Sequence, residues 1–123
     1  MKTEFVNFIC ELHGYLIRVK ELHWHTSSNS EHLQCDDFHS ELMELEDEFT
    51  ECCMGLEGKK FEIGKLLPML PNSTSFETVL SEFEKDVLKI KKTLSDIKYS
   101  GITNVLDDMV KLANKYKYRA TQK

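Results

Sequence analysis

Two histidines and three acids in the first half of the chain have the residue types and spacings of a metal site. His23 closes one helical pattern, while His32 and Asp36 open the next and Asp47 and Glu51 follow further along it. Residues four positions apart on a helix share a face one turn apart, so each of the last two pairs can share a metal ion. Imidazole and carboxylate together suit iron(II), with manganese or zinc as competitors, better than they suit calcium.

The two pairs are too far apart to serve one site within a single chain. Between His32 and Asp47 a straight helix rises about 20 Å, and at 100° per residue all these side chains point away from the apolar stripe of their helix. An antiparallel two-fold pairing with a second copy would bring Asp47 and Glu51 of one chain to His32 and Asp36 of the other. His23 would join from the preceding helix. The spacing therefore predicts two identical sites per dimer.

Amphipathic helices must position these residues. Apolar residues recur every three or four positions over residues 3–25, from a Ser28 or Ser30 cap to about residue 57, over residues 76–97 after a Thr74 cap, and over residues 102–116. The connection over residues 58–73 is apolar and rich in Gly and Pro, with room for a short helix. This pattern predicts an all-α four-helix bundle with a longer second connection, as one domain over residues 1–123.

The first helix carries a second, weaker apolar stripe. Val6, Ile17 and Trp24 lie about 100° around the cylinder from its main stripe. Two apolar faces predict burial on two sides, one in the bundle and one against something else.

The composition indicates which binding partners and cellular locations the protein can have. The formal charge of −5 argues against a wholly basic nucleic-acid-binding surface, although a local patch stays open. No stretch has the pattern of a signal peptide or the apolar length of a membrane span, so we expect a cytoplasmic protein without membrane association. Cations gather late in the chain, where they either solvate a helix end or contact phosphate: Lys111, Lys115, Lys117, Arg119 and Lys123.

The cysteines do not form a recognisable metal or disulfide motif. None has CxxC spacing, and the adjacent Cys52 and Cys53 do not suit a shared tetrahedral zinc site. We predict that these two, with Cys10 and Cys35, are reduced, small apolar fillers.

The same residues can also be explained without a metal site. The second helix carries so many acids that some pairs fall four apart by chance, and a solvated acidic face is the simplest alternative to a metal site. We predict that His13, His25 and His39 are structural or solvated. Of these, His39 shares the face of His32.

With these residues the sequence resembles the Dps family, mini-ferritins that protect starved or oxidatively stressed bacteria. The family pattern has a first helix ending in His-Trp, then His-x3-Asp, a second Asp eleven positions later and a Glu four positions further on; here these are His23-Trp24, His32, Asp36, Asp47 and Glu51. The resemblance implies a ferritin-like fold and a hollow dodecamer of two-fold dimers. It also implies di-iron ferroxidase sites at the two-fold interfaces, where Fe(II) is oxidised by hydrogen peroxide or dioxygen before ferric mineral is stored. Trp24 matches a family tryptophan that takes up stray oxidising equivalents; packing at the dimer contact is its structural alternative.

The chain departs from the family pattern in three places. The turn after His23-Trp24 is about three residues shorter than usual, which affects how His23 is placed relative to His32. The junction over residues 98–101 lacks the acids that often line iron-entry pores, and Asn104 stands where Asp is common. The chain also begins directly at the first helix without a basic arm, which argues against direct DNA binding. The alternatives are a degenerate Dps-like shell or structural protein without ferroxidase activity, and a DNA-associating protein that uses its Lys-rich C-terminus.

Overall fold

The fold is a bundle of four α-helices. A computed structural model describes residues 1–122, in which α1 spans Thr3–His25, α2 Asn29–Glu57, α3 Phe76–Lys91 and α4 Ser100–Ala120, with a short 3₁₀ helix at Ile97–Tyr99. The described residues contain no β-strand. The predicted all-α four-helix bundle is confirmed.

Each helix packs against two neighbours around one core. α1 packs on α2 and α3, and α4 packs on the same two helices, so α2 and α3 lie diagonally across the bundle. None of the helices in the described part of the chain is long and apolar enough to cross a membrane. The largest fully buried side chains come from all four helices: Phe5, Leu12, Tyr15, Phe38, Phe49, Phe83, Leu106, Met109 and Tyr116.

The apolar stripe of α2 is narrower than its composition suggests. The apolar repeat up to about residue 57 predicts that Leu33 and Leu56 belong to the core stripe of α2. They are 54% and 41% exposed, so this prediction is wrong. Leu33 lies about 140° around the helix from the fully buried Phe38, at 100° per residue. The polar Gln34 is buried instead, and its amide nitrogen donates to the Arg119 carbonyl at 3.0 Å.

The connection between α2 and α3 contains no helix, so the short helix for which the sequence left room is absent. This segment instead runs along α1 as an irregular strap. Its Met69 N–H donates to the Cys10 carbonyl at 3.0 Å, and Arg18 donates to the Pro71 carbonyl at 3.0 Å. Backbone groups that a helix would have paired internally are satisfied in part by α1.

α3 is shorter than its apolar pattern. It ends at Lys91, because the Thr93 N–H and hydroxyl both bond the Ile90 carbonyl and close a tight turn. Ile97, predicted to extend the helix stripe, lies in the 3₁₀ helix and is 87% exposed. The N-terminal capping box also differs by one residue from the predicted Thr74 cap, since it pairs Ser75 with Thr78.

The second face predicted for α1 is only partly covered. Val6 and Ile17 are half-buried, while Trp24 is 73% exposed. The strap packs on the neighbouring face of α1, at Cys10 and Arg18. In a single chain this second stripe is therefore open mainly at Trp24.

Candidate metal centre

A three-residue link brings the end of α1 next to the start of α2. α1 ends at His25 and α2 begins at Asn29, where the Ser28 hydroxyl accepts the Glu31 N–H at 3.2 Å. This side-chain cap fixes the first turn of α2. The shortened turn therefore still places the last turn of α1 beside the first turn of α2.

His23 and His32 meet across this link. Their rings stack with centroids 3.8 Å apart and planes 22° from parallel. Nδ1 of His23 lies 2.9 Å from the His32 carbonyl oxygen, and Nδ1 of His32 lies 2.9 Å from the His23 carbonyl oxygen. The two residues hold each other by a reciprocal pair of hydrogen bonds.

These hydrogen bonds determine which nitrogen of each ring carries the proton. A carbonyl oxygen only accepts, so Nδ1 must be the donor in both His23 and His32. In the neutral ring the lone pair then lies on Nε2, which makes no hydrogen bond within the described residues. An imidazole held at Nδ1 by a carbonyl is the usual support of a metal-ligating histidine. The donor chemistry of the pair therefore fits a transition metal.

The carboxylates occupy two separate places on α2. Asp36 follows His32 by one turn and is exposed, and Asp47 and Glu51, also one turn apart, are exposed as well. Along the helix axis Asp47 lies about 22 Å from His32. Within the described residues no three His, Cys, Asp or Glu side chains are grouped to hold a metal. One chain thus brings His23 and His32 into contact, while Asp36 lies one turn further along α2 and the second carboxylate pair lies elsewhere on that helix.

Trp24 lies directly after His23 on the open face of α1. Its indole is 73% exposed and makes no hydrogen bond within the described residues. An exposed tryptophan at a helix end is available for an interface or for electron donation. The geometry of one chain is compatible with both interpretations.

His39 lies on the same side of α2 as the candidate ligands. Burial is the largest cause that lowers its pKa below the ordinary value of 6.5, and the positive charge of Lys20 lowers it further. Asp36 opposes this shift, and His23 and His13 also act on the ring. His39 is therefore held mainly neutral at pH 7, within the electrostatic reach of the candidate site.

A second contact between α1 and α2 joins His13 to Glu46. The His13 Nδ1 lies 3.2 Å from a Glu46 carboxylate oxygen. Burial raises the pKa of Glu46 above its usual value, although His13 acts in the opposite direction. Four of the five histidines thus line one side of the bundle: His13, His23, His32 and His39.

From the sequence, His13 and His39 are predicted to be structural or solvated. A signal was present for His39, which follows Asp36 by three residues and so shares its helix face. No comparable signal existed for His13, because its partner Glu46 is 33 residues away in the chain. The pairing depends on how α1 and α2 are rotated against each other, which helical periodicity alone does not give.

The thiols do not contribute to the site. All four cysteines are free, and Cys10, Cys35 and Cys53 are buried, as predicted for apolar fillers. Burial raises the pKa of Cys35 and of Cys53 to about 12. These two thiols therefore stay protonated and are poor metal ligands near neutral pH.

The cations late in the chain are paired with acids of the same chain. Lys115 contacts Glu41 at 2.6 Å and Arg119 contacts Asp37 at 3.2 Å. Lys117 contacts Glu84 at 3.0 Å, whereas Lys111 is only 3.9 Å from Asp108 and largely exposed. Lys123 lies outside the described residues. The positive charge at the end of α4 is therefore partly neutralised by acids of the same chain.

The comparisons with known proteins give a family but no activity. No curated protein matches the chain, and no solved structure matches it. Residues 23–120 match a family of unknown function, DUF5856, and this span includes every candidate ligand from His23 to Glu51. The mini-ferritin function accordingly stays a prediction. The match covers most of the sequence, and the chain belongs to this family of unknown function.

Proposed function

We propose that the chain is an iron-oxidising and iron-storing mini-ferritin that works as a two-fold dimer or a larger shell. The observation that carries the proposal is the stacked pair of His23 and His32, because both Nδ1 atoms are committed to carbonyl oxygens and both Nε2 atoms are left for a metal. Asp36 adds a carboxylate one turn away. The second carboxylate pair, Asp47 and Glu51, would come from the mate.

The proposed imidazole and carboxylate ligands have different roles because their charges differ. The imidazoles of His23 and His32 are neutral donors that suit Fe(II), while carboxylates compensate the higher charge of the ferric product. Three carboxylates and two imidazoles accommodate two iron ions, which are the substrate. Two Fe(II) ions and one hydrogen peroxide with two protons give two Fe(III) ions and two waters, so peroxide takes two electrons together and releases no hydroxyl radical.

Trp24 is the proposed electron donor for oxidising equivalents that escape this reaction. It follows a proposed ligand in the chain, and its indole is exposed on the open face of α1. We further propose a cytoplasmic, dodecameric shell. The free thiols support a reducing compartment, and the exposed Trp24 on the second stripe of α1 supports assembly with another copy.

Replacement of both Asp47 and Glu51 by alanine tests the proposal. The variant is expected to lose fast Fe(II) oxidation under peroxide, followed by ferric absorbance, while its helix content is unchanged. The control replaces Glu62 and Glu77, two exposed acids outside α2, by alanine and should keep the rate. Unchanged oxidation by the Asp47 and Glu51 variant would refute the site.

Two alternatives predict other results. A degenerate shell without ferroxidase activity would keep its particle size and oxidise no Fe(II) above a buffer control. A DNA-associating protein that uses its C-terminus would give a salt-dependent mobility shift that disappears on truncation of the last helical turn. The ion pairs of Lys115 and Arg119 within the chain weigh against that second alternative.

A further inference from the structure

The outward face of α3 forms a shallow groove edged by lysines, of which Lys89 also lies near Glu11 of α1. Lys85, Lys89 and Lys92 are exposed and form no ion pair within the described residues. Leu88 lies among them and is 45% exposed. The groove thus combines an apolar floor with a basic rim.

Helix stabilisation explains only part of this face. Lysines in the last turn of a helix interact favourably with its dipole, but this effect fades within one turn and does not reach Lys85. Nearby lysines do have partners, since Lys91 contacts Asp107 at 2.5 Å and Lys117 contacts Glu84 at 3.0 Å. The free charge is therefore concentrated on the outermost line of α3.

The opposite edge of the bundle carries two acids of α2, and Glu44 there lies beside Lys111 and Lys115 of α4, which pair with Asp108 and Glu41. α2 lies diagonally across from α3, and its Glu44 and Glu48 are exposed without an ion pair within the described residues. These two carboxylates are one turn apart, the same spacing as Lys85 and Lys89. Two copies aligned head to tail would place like-spaced rows of opposite charge against each other.

We propose that the groove of α3 docks the acidic edge of α2 from a second copy of this chain. Because the two surfaces are different and face opposite ways, the contact is heterologous, and it repeats until a ring closes or a filament grows. It uses neither the histidine pair nor bound iron, so it stands or falls separately from the proposed ferroxidase site.

A second copy fits the groove better than a nucleic acid does. The chain has a net charge of −5, so a polyanion is repelled by most of the surface outside the groove. A phosphate backbone also makes little use of the exposed Leu88, whereas a protein edge can cover it. The acids that match the lysine row are present on every copy.

Charge reversal tests the docking contact. One variant carries Lys85→Glu and Lys89→Glu, the other Glu44→Lys and Glu48→Lys, and particle mass is measured by light scattering at about 0.05 M salt, where screening is weak. The particle mass of each variant alone should fall to that of the assembly held together by its remaining contacts. An equimolar mixture should exceed the mass of either variant, because each variant offers the charge that the other lacks. It should reach the wild-type mass where an even number of copies closes the ring or a filament grows, since the two variants must alternate.

The outcomes separate this proposal from its competitors. A chain that combines all four reversals should assemble like wild type, and helix content measured on each variant shows that folding is intact. Wild-type protein that shows no salt-sensitive assembly, or variants whose mass does not change, would overturn the docking contact. Loss of binding to a DNA duplex in the lysine variant without a change in mass would assign the groove to a polyanion instead.

Discussion

Gly14 is the point where α1 makes its closest approach to the strap. A Cβ atom added at Gly14 would lie 1.9 Å from the Met69 carbonyl oxygen and 2.4 Å from the Met69 carbonyl carbon. Neither distance is possible, so Gly14→Ala must push the backbone at Met69 outward. That backbone is held on α1 by the hydrogen bond from the Met69 N–H to the Cys10 carbonyl.

The opposing contributions to the free energy of unfolding of Gly14→Ala can be compared. Alanine in place of glycine in a helix interior gains about 1 kcal/mol. Overpacking costs roughly 1–3 kcal/mol, and each strap hydrogen bond that is lost costs about 1 kcal/mol more. The bonds at risk join the strap to Cys10 and Arg18. We expect a net loss of about 1–3 kcal/mol if one of these bonds is lost and about 2–4 kcal/mol if both are, because clash and lost bonds outweigh helix propensity.

The assay is urea unfolding followed by helix content, with Gly55→Ala as the matched control. Gly55 lies inside α2 and has no atom within 4 Å of an added Cβ, so this variant should gain up to about 1 kcal/mol. The two glycine variants should therefore move in opposite directions. If Gly14→Ala is as stable as Gly55→Ala, the strap does not pack on α1 as described.

Two further substitutions test buried and charged contacts. Tyr15 is 1% exposed and its hydroxyl donates a hydrogen bond to Asp86. Tyr15→Phe should therefore lower the free energy of unfolding by about 1–2 kcal/mol, measured by urea titration. An unchanged midpoint would show that this hydrogen bond does not stabilise the fold. Glu82 accepts the Ser73 hydroxyl at 2.6 Å and the backbone N–H groups of Ser73 and Asn72. Burial acts to raise its pKa, but these bonds outweigh burial and place the pKa below the usual 4.5. A lowered pKa stabilises the folded state above pH 4.5, and this contribution is lost as the pH falls through the folded-state pKa. Glu82→Gln should therefore be destabilised by about 1 kcal/mol at pH 7, and its difference from wild type should shrink as the pH is lowered below 4.5. A difference that stays constant along that series would contradict this origin.

The helices were largely predictable because their signals are local. The repeat of apolar residues and the Ser28 cap gave α1 and α2 nearly residue by residue, and Gly58 with a φ of 64° ends α2 as expected. Leu33 is apolar but exposed, because its helical angle, about 140° from Phe38, places it outside the core stripe of α2.

Features that depend on contacts distant in sequence were not predictable. The sequence of the strap is apolar and interrupted by Pro and Gly, which leaves room for a short helix. No helix forms there, because the strap backbone is hydrogen-bonded to Cys10 and Arg18 of α1. The facing of His23 and His32 was expected, whereas their stacking and reciprocal bonds depend on the angle of the link between α1 and α2. Spacing predicted the ligand types, and the structure adds which ring nitrogen is available.

Mixed dimers test the shared iron site most directly. One variant carries His32→Ala and Asp36→Ala, the other Asp47→Ala and Glu51→Ala, and neither can build a complete site alone. After the two are unfolded together and refolded, random pairing makes about half of the dimers mixed, each with one of its two sites intact, so Fe(II) oxidation should return to roughly a quarter of the wild-type rate. No recovery in a mixture shown to contain mixed dimers, or full activity in either variant alone, would contradict a site shared between two copies.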